Sequence, residues 1–199
     1  LLREIHHRVK NNLNMAVNLL RLQFAEFADD RIKRALDESV DRIHSMSLVH
    51  QFLYQSESLN DIDFKGFVEQ TVDQLADIHR TDDRVRIQPL LADIHVSIET
   101  AIPASLIVTE LVTNAIKYAF PNNRSGTITV ITRAVSAQDA ELTVRDDGVG
   151  LPEEFDIDTP TTLGMQLIKG LTEQIHGRLQ VTADAGTTFT VRFLTGSRS

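Results

Sequence analysis

A chain of 199 residues, 42% hydrophobic and 24% charged, can build one large or two small packed domains, which excludes disordered and fibrous classes. Its formal net charge of −8 gives non-specific nucleic-acid binding little electrostatic support. The absence of cysteine excludes disulfides and thiolate metal sites and suits a reducing compartment such as the cytoplasm, and no apolar run approaches the roughly 20 residues that cross a bilayer.

The chain opens on "LLREI", a mid-helix pattern without an initiator Met, and is expected to be the C-terminal part of a longer protein. Leu2, Val9 and Ala16 form one seven-residue series, and His6, Leu13, Leu20 and Phe27 form another. Together they make the apolar stripe of a helix in a bundle. "ADD" at 28–30 is a short turn. A second stripe runs through Ile32, Leu36, Val40, Ile43, Ser47, His50 and Tyr54. Two long helices joined by a short turn make an antiparallel hairpin, too small to carry its own core. Pairing two hairpins gives a four-helix bundle, so a homodimer through residues 1–58 is expected.

From 63 to 196 the texture changes. Residues 64–79 predict a helix. "RVRIQPLL" (84–91) and "IHVSI" (94–98) predict strands. Residues 103–119 predict a strongly apolar helix. "GTITVITRAV" (126–135) and "AELTVRDDG" (140–148) alternate with period two, as a hairpin does. Residues 163–176 predict another helix, and "GRLQVT" (177–182) and "TTFTVRFL" (187–194) the last strands. This order predicts an α+β sandwich with a largely antiparallel sheet and its helices on one face.

Four segments could carry chemistry. In "RDDGVGLP" (145–152) a strand ends in Asp146, and Gly148 and Gly150 permit a tight turn with close backbone approach to a ligand. Asp146 could accept a hydrogen bond from an exocyclic amine such as adenine N6. The plain alternative is a turn with solvated acids. In "TELVTNAIKYAF" (109–120), Glu110, Asn114 and Lys117 fall at i, i+4 and i+7 on one helix face, with Leu111, Ala115 and Tyr118 beside them facing the core. An amide oxygen suits Mg²⁺, an ammonium meets phosphate, and an acid can take a proton. The alternative is a solvated face with a Glu–Lys pair. In "TTLGMQLIKG" (161–170), Thr161, Thr162 and Gly164 open a helix whose N–H groups attract phosphate, unless Thr162 is simply a cap. The preceding stretch, with Pro152, Pro160 and acids at 153, 154, 156 and 158, reads as a mobile flap. Finally, in "AGTTFTV" (185–191), Gly186 and Thr187 open the last strand and could floor a pocket.

Each signal alone is weak, but the series is specific. An Asn-bearing helix, a strand into DxGxG, a flap, a glycine at a helix start and then GTxF resembles the N, G1, G2 and G3 boxes of the GHKL ATP-binding fold, over residues 63–195. The resemblance implies ATP between the Asn114 helix and the flap, Asp146 on the adenine amine, and Thr187 supporting it. It also implies Asn114 as the Mg²⁺ ligand and Glu110 as a nearby acid or base. "HHRVKNNLN" (6–14) resembles the phosphoacceptor region of HisKA_2 and HWE sensor histidine kinases through His7, Arg8, Val9, Lys10 and Asn11. "SLVHQFLYQS" (47–56) resembles the end of their second helix. Asn14 stands where such kinases commonly have Gln, and Gly164 is single where many have several glycines.

The heptads separate the two histidines. His6 repeats with Leu13 on the core stripe, whereas His7 lies about 100° further round, at the seam's edge and open to solvent. A phosphoryl acceptor must be reachable in line with the γ-phosphorus, which favours His7. Asn11, one turn on, lies beside it. The histidines at 6, 7, 44, 50, 79, 95 and 176 contain no H-x-x-x-H pair, which argues against zinc. The function implied is ATP-dependent autophosphorylation on His7, followed by transfer to an aspartate of a response-regulator receiver domain. Two competitors are a GHKL ATPase clamp and an inactive dimer scaffold.

Overall fold

The computed structural model describes residues 61–79, 84–152, 154–160 and 162–196, together with positions 15, 17–19, 22–23, 29, 36, 39–40 and 43. The chain forms two compact units, Leu1–Glu57 and Ser58–Ser199.

In the first unit, every described position except 29 is helical. Val40 is 1% exposed, and Leu36 and Ile43 are half-buried, so the second stripe falls inward at its described positions. Val17 is buried although it is no heptad position. It lies four residues after Leu13 and three before Leu20, which widens the first stripe. Met15, Leu19 and Leu22 are 61%, 55% and 72% exposed. Their spacing of i, i+4 and i+7 gathers them on one face. His6, His7, Asn11, His50 and positions 28 and 30 of the expected turn lie outside the described residues.

The second unit is an α+β sandwich. Strand β1 (Ile62–Asp63) leads into α1 (Phe64–Ile78), where Asp63 caps the helix by accepting from Gly66 N–H at 3.1 Å. Then come β2 (Val85–Leu91), β3 (His95–Val96) and α2 (Ile98–Asn114). A π-helical turn (Ala115–Ala119) continues α2. Strands β4 (Gly126–Ala134) and β5 (Asp139–Asp146), helix α3 (Leu163–Gln174), and strands β6 (Arg178–Thr182) and β7 (Thr187–Leu194) complete the unit. The main sheet runs β2-β4-β5-β7-β6, with β1 and β3 as a separate pair. All neighbours in the main sheet are antiparallel except β2 and β4.

Two expectations are corrected. The strand expected at 94–98 shrinks to β3, two residues long. Helix α2 begins at Ile98 rather than at Pro103, because Ser97 C=O accepts from Thr100 and Ala101 N–H at 3.0 and 2.9 Å and starts the helix upstream. Pro103 is tolerated inside it. Helices α1 and α3 both pack on α2, whose residues Ala104, Ile107, Val108, Leu111 and Val112 are buried. They meet the inward face of the sheet, including Ile128, Val130, Leu142, Val144, Val191 and Phe193. The Phe64 and Phe193 rings meet edge-on at 5.9 Å. Each such side chain contributes about 1.5–3 kcal/mol on burial. That core fixes where α2 and the end of β5 stand.

Candidate functional site: a nucleotide-sized cavity

Helix α2 widens into its π turn immediately after Asn114. Single π turns interrupt α-helices at functional positions, and the wider turn rotates the residues beyond it backward about the helix axis. Ala115 stays buried at 7%, but Tyr118 is 63% exposed. The core-facing role expected of Tyr118 is therefore corrected: it lines the cavity beside Asn114 and Ala115. The row of Glu110, Asn114 and Lys117 opens by the same rotation. Asn114 is half-buried in the cavity wall, Glu110 is 6% exposed within α2, and Lys117 is exposed. Neither Glu110 nor Lys117 lines the cavity.

Asp146 ends β5, paired with Ile128 of β4 on one side and Thr187 of β7 on the other. It is 6% exposed. Its Oδ1 accepts from Gly148 N–H at 2.9 Å and Thr187 N–H at 3.2 Å. Two donors on one oxygen fix the carboxylate and leave the other as the acceptor for a ligand. The turn after it packs against the π turn: a Cβ on Gly148 would stand 2.4 Å from the Ala119 carbonyl oxygen, which accepts from Val149 N–H at 3.0 Å. Gly186, at φ +115, would put a Cβ 2.1 Å from the Asp146 carbonyl oxygen. Only glycine fits there. Thr187 is 4% exposed, and Thr187 and Gly150 both line the cavity.

The flap covers one side. Phe155 meets Phe189 edge-on at 6.2 Å. Lys169 Nζ donates to the Asp158 carbonyl at 2.8 Å and Gln166 Nε2 to the Pro160 carbonyl at 3.1 Å, so α3 holds the flap by its backbone. Asp156 closes a local knot, its Oδ2 accepting from Thr159 Oγ1 at 2.7 Å and its Oδ1 from Asp158 N–H at 2.9 Å. The Thr159 hydroxyl, then the Asp158 amide, hold its carboxyl below the ordinary carboxylate range. Thr162 caps α3, accepting from Met165 N–H at 3.4 Å, and both line the cavity. Gly164 is buried in the first turn and does not line it, and position 161 lies outside the described residues.

The result is a cavity of about 590 Å³, within the range of small-molecule sites. Leu111, Val144, Val149, Met165 and Phe189 give it apolar walls suited to a flat ring, with Asp146 as the fixed acceptor. Among the described residues its lining includes the acids Asp146, Glu154 and Asp156 and no Lys or Arg. Sequence reasoning missed Phe155 and Met165. Phe189 stood in the GTxF motif, and its inward position follows from the period-two pattern of β7. Among the described residues no three His, Cys, Asp or Glu side chains cluster as a metal cage. Of the side chains lining the cavity, Asn114 has an amide oxygen, a hard donor whose chemistry fits Mg²⁺, an ion that keeps waters and binds through one or two protein oxygens plus substrate phosphates.

A largely antiparallel sheet covered on one face by helices, with a carboxylate at a strand end below a flap, is the architecture of an ATP-binding sandwich. The family described as histidine kinase-, DNA gyrase B-, and HSP90-like ATPase matches residues 99–196. The histidine kinase family HisKA_2 matches residues 4–79. The chain belongs to the HisKA_2 sensor histidine kinases. The sensor histidine kinase PdtaS of Mycolicibacterium smegmatis is 34% identical over 205 residues, covering 100% of this chain and 40% of PdtaS. Blue-light-activated histidine kinase 2 of Erythrobacter litoralis is 28% identical over 193 residues, covering 91% of this chain and 53% of that protein. The solved structure of an Erythrobacter litoralis blue-light-activated histidine kinase superposes with a TM-score of 0.75 at 25% identity, covering 98% of this chain and 58% of that one. This chain thus spans about half or less of the length of these curated relatives.

Proposed function

We propose that the chain is the catalytic core of a two-component sensor kinase that phosphorylates itself on His7 and passes the phosphoryl group to an aspartate of a response-regulator receiver domain. Residues 1–58 are the dimerisation and phosphoacceptor part, and residues 63–196 bind ATP. The observation that carries this reading is Asp146, fixed through Oδ1 by two backbone N–H groups in a cavity it shares with Asn114. Its other oxygen accepts from the adenine amine, and Thr187 holds that carboxylate in place. Asn114 is the residue that would hold Mg²⁺, which when bound neutralises phosphate charge.

An imidazole nitrogen of His7 attacks the γ-phosphorus, the bond from phosphorus to the β–γ bridging oxygen breaks, and ADP leaves. The imidazole proton goes to a base, for which Glu110 is the candidate. Lys117, exposed just beyond Asn114 on the same helix, serves the phosphates as a positive charge near the site. Gly150, which lines the cavity, lets backbone approach the nucleotide, Gly148 lets the turn pack against the π turn, and Asn11, four positions after His7 in the sequence, serves beside the phosphoryl. The exposed face of Met15, Leu19 and Leu22 supports a homodimer, since such a stripe gains by covering itself in a symmetric bundle. Among the described residues no helix is long and apolar enough to cross a membrane. Work in the cytoplasm, where ATP and receiver domains are at hand, follows from the reaction.

Autophosphorylation with γ-labelled Mg·ATP tests this directly. The expected label resists base, is lost in acid, survives His6→Ala and disappears in His7→Ala. Rapid ATP turnover with no phosphoprotein would instead support an ATPase clamp. Bound ATP with neither turnover nor label would support a scaffold.

A further inference from the structure

The sheet has a second face, turned away from the helices, and its composition is unlike that of the chain. Arg86 on β2, Arg133 on β4, Arg145 on β5, Arg178 on β6 and Arg192 on β7 all occupy its outward positions and are exposed. The only outward carboxylates on these strands are Asp139 and Glu141, in a chain of net charge −8. The register concentrates the charge. Arg133 pairs with Glu141, Glu141 with Arg192, and Arg192 with Arg178, which makes one row straight across four strands. At about 4.8 Å per strand the row is roughly 15 Å long. Arg178 and Arg192 are direct cross-strand partners of like charge, an arrangement that opposes sheet stability. Arg192 is relieved by Asp139 Oδ2 at 3.3 Å. Among the described residues, Arg86, Arg133, Arg145 and Arg178 have no such ion pair.

We propose that this face is a docking surface for an acidic polypeptide segment, one that presents several Asp or Glu side chains. Guanidinium groups match carboxylates in bidentate fashion, and a carboxylate seated between Arg178 and Arg192 would offset their repulsion. Thr129, Thr188, Thr190 and Gln180, which stand between the arginines, add hydrogen-bonding groups suited to peptide. The outward strand positions carry no aromatic side chain. That argues against single-stranded nucleic acid, which sheets bind by stacking bases on aromatic rings. The face lies across the sheet from the inward side chains Val144, Asp146, Thr187 and Phe189 of the cavity, so it is separate from nucleotide binding.

The test is binding of a fluorescent deca-glutamate peptide to the full chain, with an oligothymidylate of equal charge as the comparison. The peptide is expected to bind at low ionic strength and to weaken about tenfold when salt screens the contacts. The triple variant Arg133→Gln, Arg178→Gln, Arg192→Gln is expected to weaken binding about tenfold or more. It should still bind ATP, which reports an intact fold. The double variant Arg133→Gln, Arg178→Gln leaves the Arg192–Asp139 pair in place and is expected to lose affinity in the same direction. The corresponding arginine-to-lysine triple variant should fall between the parent and the glutamine variant. No peptide binding by the parent, unchanged binding by both glutamine variants, or tighter binding of oligothymidylate than of peptide would each overturn the proposal.

Discussion

Asp146 and Thr187 are cross-strand partners in β5 and β7, and the Thr187 amide donates to Asp146 Oδ1 at 3.2 Å. The sheet register thereby fixes a carboxylate in the cavity wall. Asp146→Asn keeps an oxygen for that bond but turns the ligand-facing oxygen into a donor. A hydrogen bond to a charged group is worth about 1.5–3 kcal/mol, so ATP affinity should fall roughly 10- to 150-fold with the melting temperature little changed. Titration with a fluorescent ATP analogue measures this. Parental affinity in the variant would remove Asp146 from the site.

Gly186 tolerates no side chain, because its φ is +115 and a Cβ would lie 2.1 Å from the Asp146 carbonyl oxygen. Gly186→Ala is expected to destabilise the unit by about 1–3 kcal/mol and to weaken ATP binding by moving Asp146. Chemical denaturation and nucleotide titration read the two effects separately.

Lys169 and Gln166 hold the flap by two backbone carbonyls. Replacing Lys169 by Met removes one latch without touching the cavity lining. Hydrogen exchange over 154–160 should accelerate and nucleotide should dissociate faster, while the exchange of β5 and β7 stays as in the parent.

The Asp156 knot has a pH signature. Its carboxyl is held below the ordinary value of 3.8 by Thr159 and Asp158. A lowered folded-state pKa contributes order that is present above the unfolded value and lost as pH falls through the folded one. Flap protection should therefore hold down to about pH 4 and decline below it. Asp156→Asn should flatten that decline, as measured by exchange at matched intrinsic rates.

Leu19 and Leu22 are 55% and 72% exposed on one helix face with Met15. The double variant Leu19→Glu, Leu22→Glu is expected to shift the chain from dimer to monomer in light scattering, with ATP binding retained. A variant that remains fully dimeric would locate the interface elsewhere.

Local features of this protein were legible along the chain. Period-two alternation placed β4, β5 and β7, because a strand with one face on a core must alternate. Asp146, Gly150, Asn114 and Thr187 stood out as candidates because turn chemistry and spacing are local, and all four line the cavity. Rotation and proximity were settled only by packing. The π turn after Asn114 turns Tyr118 outward and takes Lys117 off the Asn114 row, and an ideal 3.6-residue period cannot foresee it. Helix α2 starts before Pro103 because the Ser97 carbonyl supplies its first bonds. Phe155 meets Phe189 across 34 residues of chain, and the arginine row exists only through strand register. Such contacts depend on which distant segments share the core, and no window along the chain contains that information.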